Sequence, residues 1–150
     1  MSNEMINDPV LSEAPLIWAI RKHFKTETAT KNIQHGRVFF SKTPGYRLQF
    51  RAEIDRLHGD IYFSVRVMKG IFDDQISWPC DEKFHICILD TKGRPDPDNQ
   101  WILPDSDASW NRTLRKVANK GDQVHSEWIG PFNISHFIAK NVFKLQVSLA

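Results

Sequence analysis

Ile61-Tyr62-Phe63-Ser64-Val65-Arg66-Val67-Met68-Lys69-Gly70-Ile71-Phe72-Asp73-Asp74-Gln75-Ile76-Ser77-Trp78-Pro79-Cys80 is the stretch on which the fold turns. Its first eight residues alternate. Ile61, Phe63, Val65 and Val67 share one parity, and Tyr62, Ser64 and Arg66 the other, as side chains do on a strand with one buried face. Lys69-Gly70 then supplies a turn that a β-carbon would hinder. Pro79 cannot donate to a ladder, so it ends pairing and pushes Trp78 toward an extended conformation. The large ring of Trp78 reads as a core anchor.

The same alternation recurs on both sides. Over residues 46–54, Leu48, Phe50, Ala52 and Ile54 oppose Arg47, Gln49, Arg51 and Glu53. Over 142–149, Phe143, Leu145, Val147 and Leu149 oppose Lys144, Gln146 and Ser148. Shorter strands are expected at 16–20, 37–41, 83–89, 100–103 and 125–129. Turn chemistry separates them at Pro44-Gly45, His58-Gly59-Asp60, Lys69-Gly70, Lys92-Gly93 and Gly130-Pro131. About eight short strands in one chain read as an all-β sandwich. Its expected core is Trp18, Ile20, Leu48, Phe50, Phe63, Val65, Trp78, Phe84, Ile86, Ile88, Phe132, Phe143, Leu145 and Val147. One helix is expected at about 107–120. There Trp110, Leu114, Val117 and Ala118 follow helical spacing, Asp107 caps the start and Gly121 the end.

The chain has 150 residues, 41% apolar and 25% charged. That is one soluble domain, and it excludes collagen-like, disordered and disulfide-scaffold classes. Residues 1–14 read as a polar N-terminal tail, and 15–150 as the sandwich. No apolar run reaches the length of a membrane span and the first residues hold no signal-peptide pattern, so no membrane insertion and a cytoplasmic location are expected. Residues 21–70 carry eleven Lys/Arg and four Asp/Glu, a net of +7, against nine and fourteen, a net of −5, elsewhere. No run of like charge is long enough for a nucleic-acid footprint, so no nucleic acid is expected. Nucleophile elbows, His-Glu-x-x-His, phosphate loops and dinucleotide fingerprints are missing. His125-Ser126-Glu127 and Pro79-Cys80 stand in the wrong order for a zinc deaminase, with Lys83 where a second Cys is needed. Cys80 and Cys87 lack metal-ligand partners. No catalysis, no cofactor and no metal are therefore expected.

The run Met68-Lys69-Gly70, then Asp73, then Trp78-Pro79 resembles the core signature of the TRAF domain, the receptor-adaptor branch of the MATH family. Cys80 stands where that family has Phe. Gly45-Tyr46 before a strand bearing Arg51, the strand Phe84 to Asp90, the Trp18-x-Ile20 opening and the closing 143–147 strand agree with it. The resemblance covers about residues 16–149. It implies an eight-stranded antiparallel β-sandwich serving as a cytoplasmic signal-transduction adaptor. The expected partner is an extended peptide from a receptor tail or signalling protein, bound along a sheet edge. Two alternatives stay open. One is an extracellular MATH-type module binding carbohydrate or glycoprotein. The other is a substrate-recognition module of a ubiquitin ligase.

The ligand-contacting positions depart from the family. Arg51 matches, but Glu53 replaces a Tyr and Ser64 an aromatic. Residues 94–100 replace a row of serines, and Trp101 takes the place of an aromatic beyond them. The helix has no counterpart in receptor-binding relatives. The expected peptide site comprises Arg47, Arg51, Glu53, Tyr62, Ser64, Arg66, Trp101, Trp128, Ile129 and Gly130. Its cationic character points to an acidic peptide. TRAF proteins trimerise through a preceding coiled coil, and residues 1–14 hold no heptads. This chain is therefore expected to be mostly monomeric, with at most a weak trimer.

Overall fold

The computed structural model describes residues 7–21, 24, 26, 28–104, 114–119, 121, 122, 124–137, 140 and 142–150. Ten strands run through them: β1 (Leu16–Arg21), β2 (Lys31–His35), β3 (Phe39–Phe40), β4 (Arg47–Asp55), β5 (Asp60–Met68), β6 (Phe84–Leu89), β7 (Pro95–Leu103), β8 (Val124–His125), β9 (Ile129–Asn133) and β10 (Val142–Leu149). One sheet has the order β1-β10-β6-β7. The other has the order β2-β4-β5-β8, with β3 added on β4 and β9 on β5. Every strand pairing is antiparallel.

The alternation sorts the faces. Leu48, Phe50, Ala52 and Ile54 of β4 and Ile61, Phe63, Val65 and Val67 of β5 are buried. They face Phe84, Ile86 and Ile88 of β6 and Phe143, Leu145 and Val147 of β10 in one core. Its centre is aromatic: Phe39 stacks on Phe50 at 5.8 Å, and both meet Phe84 edge-on at 6.0 and 5.2 Å. Trp18, Trp78 and Phe132 pack against this core while only partly buried. Asp55 and Asp60 close the β4–β5 hairpin. Gly59 has φ +66° in its turn, with Ser135 within 3.1 Å of where a β-carbon would stand.

The sandwich is the one expected, with four differences in detail. β2 was not foreseen because its polarity is inverted: Ile33 is exposed at 49%, while Gln34 is half-buried and bonds the backbone of Arg21. The single strand expected at 125–129 is split into β8 and β9 by a kink. Of the helix expected at about 107–120, residues 107–113 and 120 lie outside the described residues, and 114–119 are not helical. Leu114 and Val117 are buried as their spacing required. The carbonyl of Leu114, however, accepts the backbone N–H of Cys80 at 2.8 Å, a tertiary bond in place of a helical one. Finally, residues 7–14 are not a free tail. Val10 and Leu11 are buried, Val10 bridges Phe40, and Asp8 pairs with Arg47 at 2.9 Å. Two adjacent large apolar residues suffice to dock a segment that is otherwise polar or small.

The link from β5 to β6 is a closed corner. The N–H of Gly70 donates to Asp73 Oδ2 at 3.0 Å, and Trp78 Nε1 donates to the Asp73 carbonyl at 2.9 Å. The ring of Trp78 meets Tyr46 edge-on at 4.9 Å, and the Tyr46 hydroxyl donates to the Ser77 carbonyl. A β-carbon on Gly70 would stand 2.9 Å from Cβ of Arg47, so this glycine is required by close approach. Burial pushes the Cys80 thiol up to about 12, leaving it protonated and unreactive at neutral pH.

Candidate functional site

The outward face of the six-stranded sheet is built by register. Arg51 stands opposite Ser64 on β5 and His35 on β2. Glu53 stands opposite Tyr62 and Ile33, and Arg66 stands opposite Gln49 and His125. Rows separated by two residues share this face, so Arg51 and Arg66 are diagonal neighbours.

At its centre, side chains hold down the kink between β8 and β9. Arg51 Nη2 donates to Ser64 Oγ at 3.0 Å, and Ser64 Oγ donates to the Ser126 carbonyl at 3.0 Å. Ser126 in turn accepts the N–H of Val65 on its Oγ at 2.9 Å and donates its own N–H to the Val65 carbonyl at 2.8 Å. One side chain thus replaces a peptide group in the ladder. The Arg51 guanidinium lies 4.6 Å from the centre of the Trp128 ring. Beyond the kink β9 pairs with β5. Gly130 has φ +144°, and a β-carbon there would stand 2.9 Å from the Ile61 carbonyl. The chain at Gly130 therefore lies close beside Tyr62, with its own flank exposed.

Two cations crowd each other at the centre of this face. Burial, then the neighbouring Arg66, lowers the pKa of Arg51, and Glu53 opposes the shift. Burial, then Arg51, Arg66 and His35, lowers that of His125, which is neutral at neutral pH. The fixed positive charge comes from the two arginines.

The expected residues do not all converge. Arg51, Glu53, Tyr62, Ser64, Arg66, Trp128, Ile129 and Gly130 come together on β4, β5 and the β8–β9 segment. Ser64, expected to be outward and accessible, is fully buried beneath Ser126. Ile129 leans on the core. Arg47 sits at the far end of β4, engaged by Asp8 and the Lys69 carbonyl. Trp101 belongs to β7 of the other sheet, where it packs on Phe132 at 4.9 Å and Phe63 at 6.2 Å, supporting β9 from inside. His125 and His35 were not foreseen, and Ser126, expected only as the start of the 126–130 strand-accepting edge, was not foreseen as the residue that ties the kink to β5. The break in alternation at 125–127 was the available signal for Ser126. Among the described residues no three His, Cys, Asp or Glu gather as metal ligands do.

Residues 31–136 match the family model for the TRAF/meprin MATH domain. The chain belongs to that family. Its expected signature is the corner just described, and the MATH motif of this chain builds it: Gly70 and Trp78 both bond Asp73. A curated relative, TNF receptor-associated factor 6 of Danio rerio, is 29% identical over a stretch covering 49% of this chain. The matched stretch is only 15% of that protein. A solved structure of Notothenia coriiceps TRAF5 superposes with a TM-score of 0.59 at 16% identity, covering 93% of this chain and 74% of that one, which shows the shared fold. The MATH domain is a protein-interaction fold. Among the described residues no helix is long and apolar enough to cross a membrane.

Proposed function

We propose that this MATH domain is a peptide-recognition module of a cytoplasmic adaptor, receiving an extended acidic segment of a receptor tail or signalling partner along β9. The reading rests on one observation: β9 is an edge strand whose neighbouring face carries Arg51 and Arg66 as close, mutually repelling cations. An added strand takes affinity from main-chain bonds and selectivity from side chains beside the edge. Arg51 is already engaged by Ser64 and Trp128, so its part is to shape the edge and supply charge. Arg66 and Tyr62 are the residues positioned to contact the ligand directly.

The test begins with a peptide array probed with the purified domain, followed by titration of the best peptide. Binding is expected to weaken with salt, because the attraction is between exposed charges. Arg66→Ala and Tyr62→Ala should each weaken it. If both leave affinity unchanged while remaining folded, the ligand does not use this face.

A further inference from the structure

On the opposite side of the sandwich, β1 is the edge of the four-stranded sheet, paired only with β10 among the described residues. Its far end is already occupied, though not by a strand. The N–H of Arg21 donates to Gln34 Oε1 at 3.0 Å, and Gln34 Nε2 donates to the carbonyl of Arg21. The side-chain amide of Gln34 therefore bonds Arg21 as a neighbouring peptide group would.

This fixes where the rest of the edge points. The N–H and C=O of one strand residue aim to the same side, and alternate residues aim to opposite sides. Since both groups of Arg21 face away from β10, those of Ala19 and Ile17 do too. No strand covers them among the described residues. Beside them is a groove of about 260 Å³, walled by Trp18, Phe39, Phe50 and Val147 and rimmed by His35 and Arg37. That is smaller than the ~300–1,000 Å³ of small-molecule pockets and suits a single aliphatic side chain. The side chain of Ile17 is exposed at 54%.

Charge selects the occupant. Residues 16–21 and 31–38 contain Arg21, Lys31, His35 and Arg37 and no acid, and Lys144 faces Ala19 from β10. A second copy of β1 would bring two such basic, acid-free edges together. A basic segment would be repelled. An acidic one is attracted, and one with an aliphatic residue at every second position presents one of them to the groove while its carboxylates lie on the face that carries Arg21, with Lys144 one strand further in.

We infer that the β1 edge is a second strand-accepting site, which takes an extended acidic-aliphatic segment of a partner protein as a fifth strand of the β1-β10-β6-β7 sheet. It is independent of the β9 edge, on the other sheet.

The test uses the full chain, isotopically labelled, and two blocked synthetic peptides, one alternating Glu and Val and one alternating Lys and Val. In the free protein the amides of Ile17 and Ala19 should exchange with solvent faster than those of Trp18 and Ile20. Adding the Glu-Val peptide should slow the Ile17 and Ala19 amides, and the Lys-Val peptide should not. Ile17→Pro removes an outward donor without removing a bond to β10, so it suits an edge strand. It should weaken the Glu-Val peptide about fivefold to tenfold, as expected for one lost hydrogen bond. Arg37→Glu, which leaves β1 intact, should weaken it also. Tyr62→Ala on the β9 face should change nothing. Slow exchange of Ile17 and Ala19 in the free protein would overturn the inference. So would equal binding of both peptides, no binding, or a Glu-Val affinity indifferent to Arg37→Glu.

Discussion

The corner from Gly70 to Cys80 and the kink from β8 to β9 are both irregular backbone at the margin of the same sheet, yet they are completed differently. In the corner, Gly70, Asp73 and Trp78 bond one another, and Tyr46 closes the far side. In the kink, Ser126, Ser64 and Arg51 bond the segment inward to β5, and the outer flank of β9 is left without a strand partner among the described residues. The corner spends its polar groups on itself. The kink spends half of them and keeps an edge. That difference separates the residues that identify the MATH fold from those available to a ligand.

The largest effect should come from opening the corner. Trp78→Ala removes a partly buried ring and its bond to the Asp73 carbonyl, and should cost about 3 kcal/mol in a denaturant titration with no preferential loss of peptide affinity. Next comes Ser126→Ala, which leaves the buried N–H of Val65 without its acceptor. It should cost about 2 kcal/mol, and, unlike Trp78→Ala, it should loosen β9 and weaken peptide binding. A stability loss from Ser126→Ala exceeding that from Trp78→Ala would invert the comparison. Arg51→Lys keeps the charge and loses the planar contact with Trp128 and the directed bond to Ser64. About 1 kcal/mol of stability should go, together with quenching or shift of Trp128 fluorescence.

The smallest effect is a titration. Burial raises the pKa of Asp73 above its ordinary value, while the bond from Gly70 opposes it. A carboxyl with a raised folded pKa disfavours the fold when ionised, so its penalty is present at neutral pH and disappears as pH falls through that raised value. Asp73→Asn keeps an acceptor for Gly70 and removes the charge. The variant should match or slightly exceed the parent at pH 7 and lose that advantage in acid, as thermal unfolding across pH would show.

The alternation made β4, β5 and β10 readable because each has one face in the core and one largely out, and a period of two records that directly. The Met68–Cys80 signature was readable because its residue types are demanded by contacts made within the same short stretch. β2 escaped because its edge position turns Gln34 inward and Ile33 outward. The helix expectation took Leu114 and Val117 to be one amphipathic face, when they are buried in a non-helical segment bonded to Cys80. On the candidate site, parity placed Arg51, Glu53, Tyr62, Ser64 and Arg66 on the right face. It could not tell that Ser64 lies under Ser126, nor that Trp101 belongs to the other sheet. Those facts depend on which distant strand covers which residue, and local spacing carries no record of it.

The place of β10 has a consequence for how the molecule is made. β2, β4 and β5 follow one another and pair as the chain emerges during synthesis. β1 emerges before them, but among the described residues its strand partner is β10, and β10 also joins β1 to β6. β6 and β7 can pair earlier, but the second sheet cannot be completed until residues 142–149 have left the ribosome, and such long-range closure is slow. Until then β1 has two bare edges. A nascent chain in that interval is the form of this protein most exposed to mispairing, and the one a chaperone would meet.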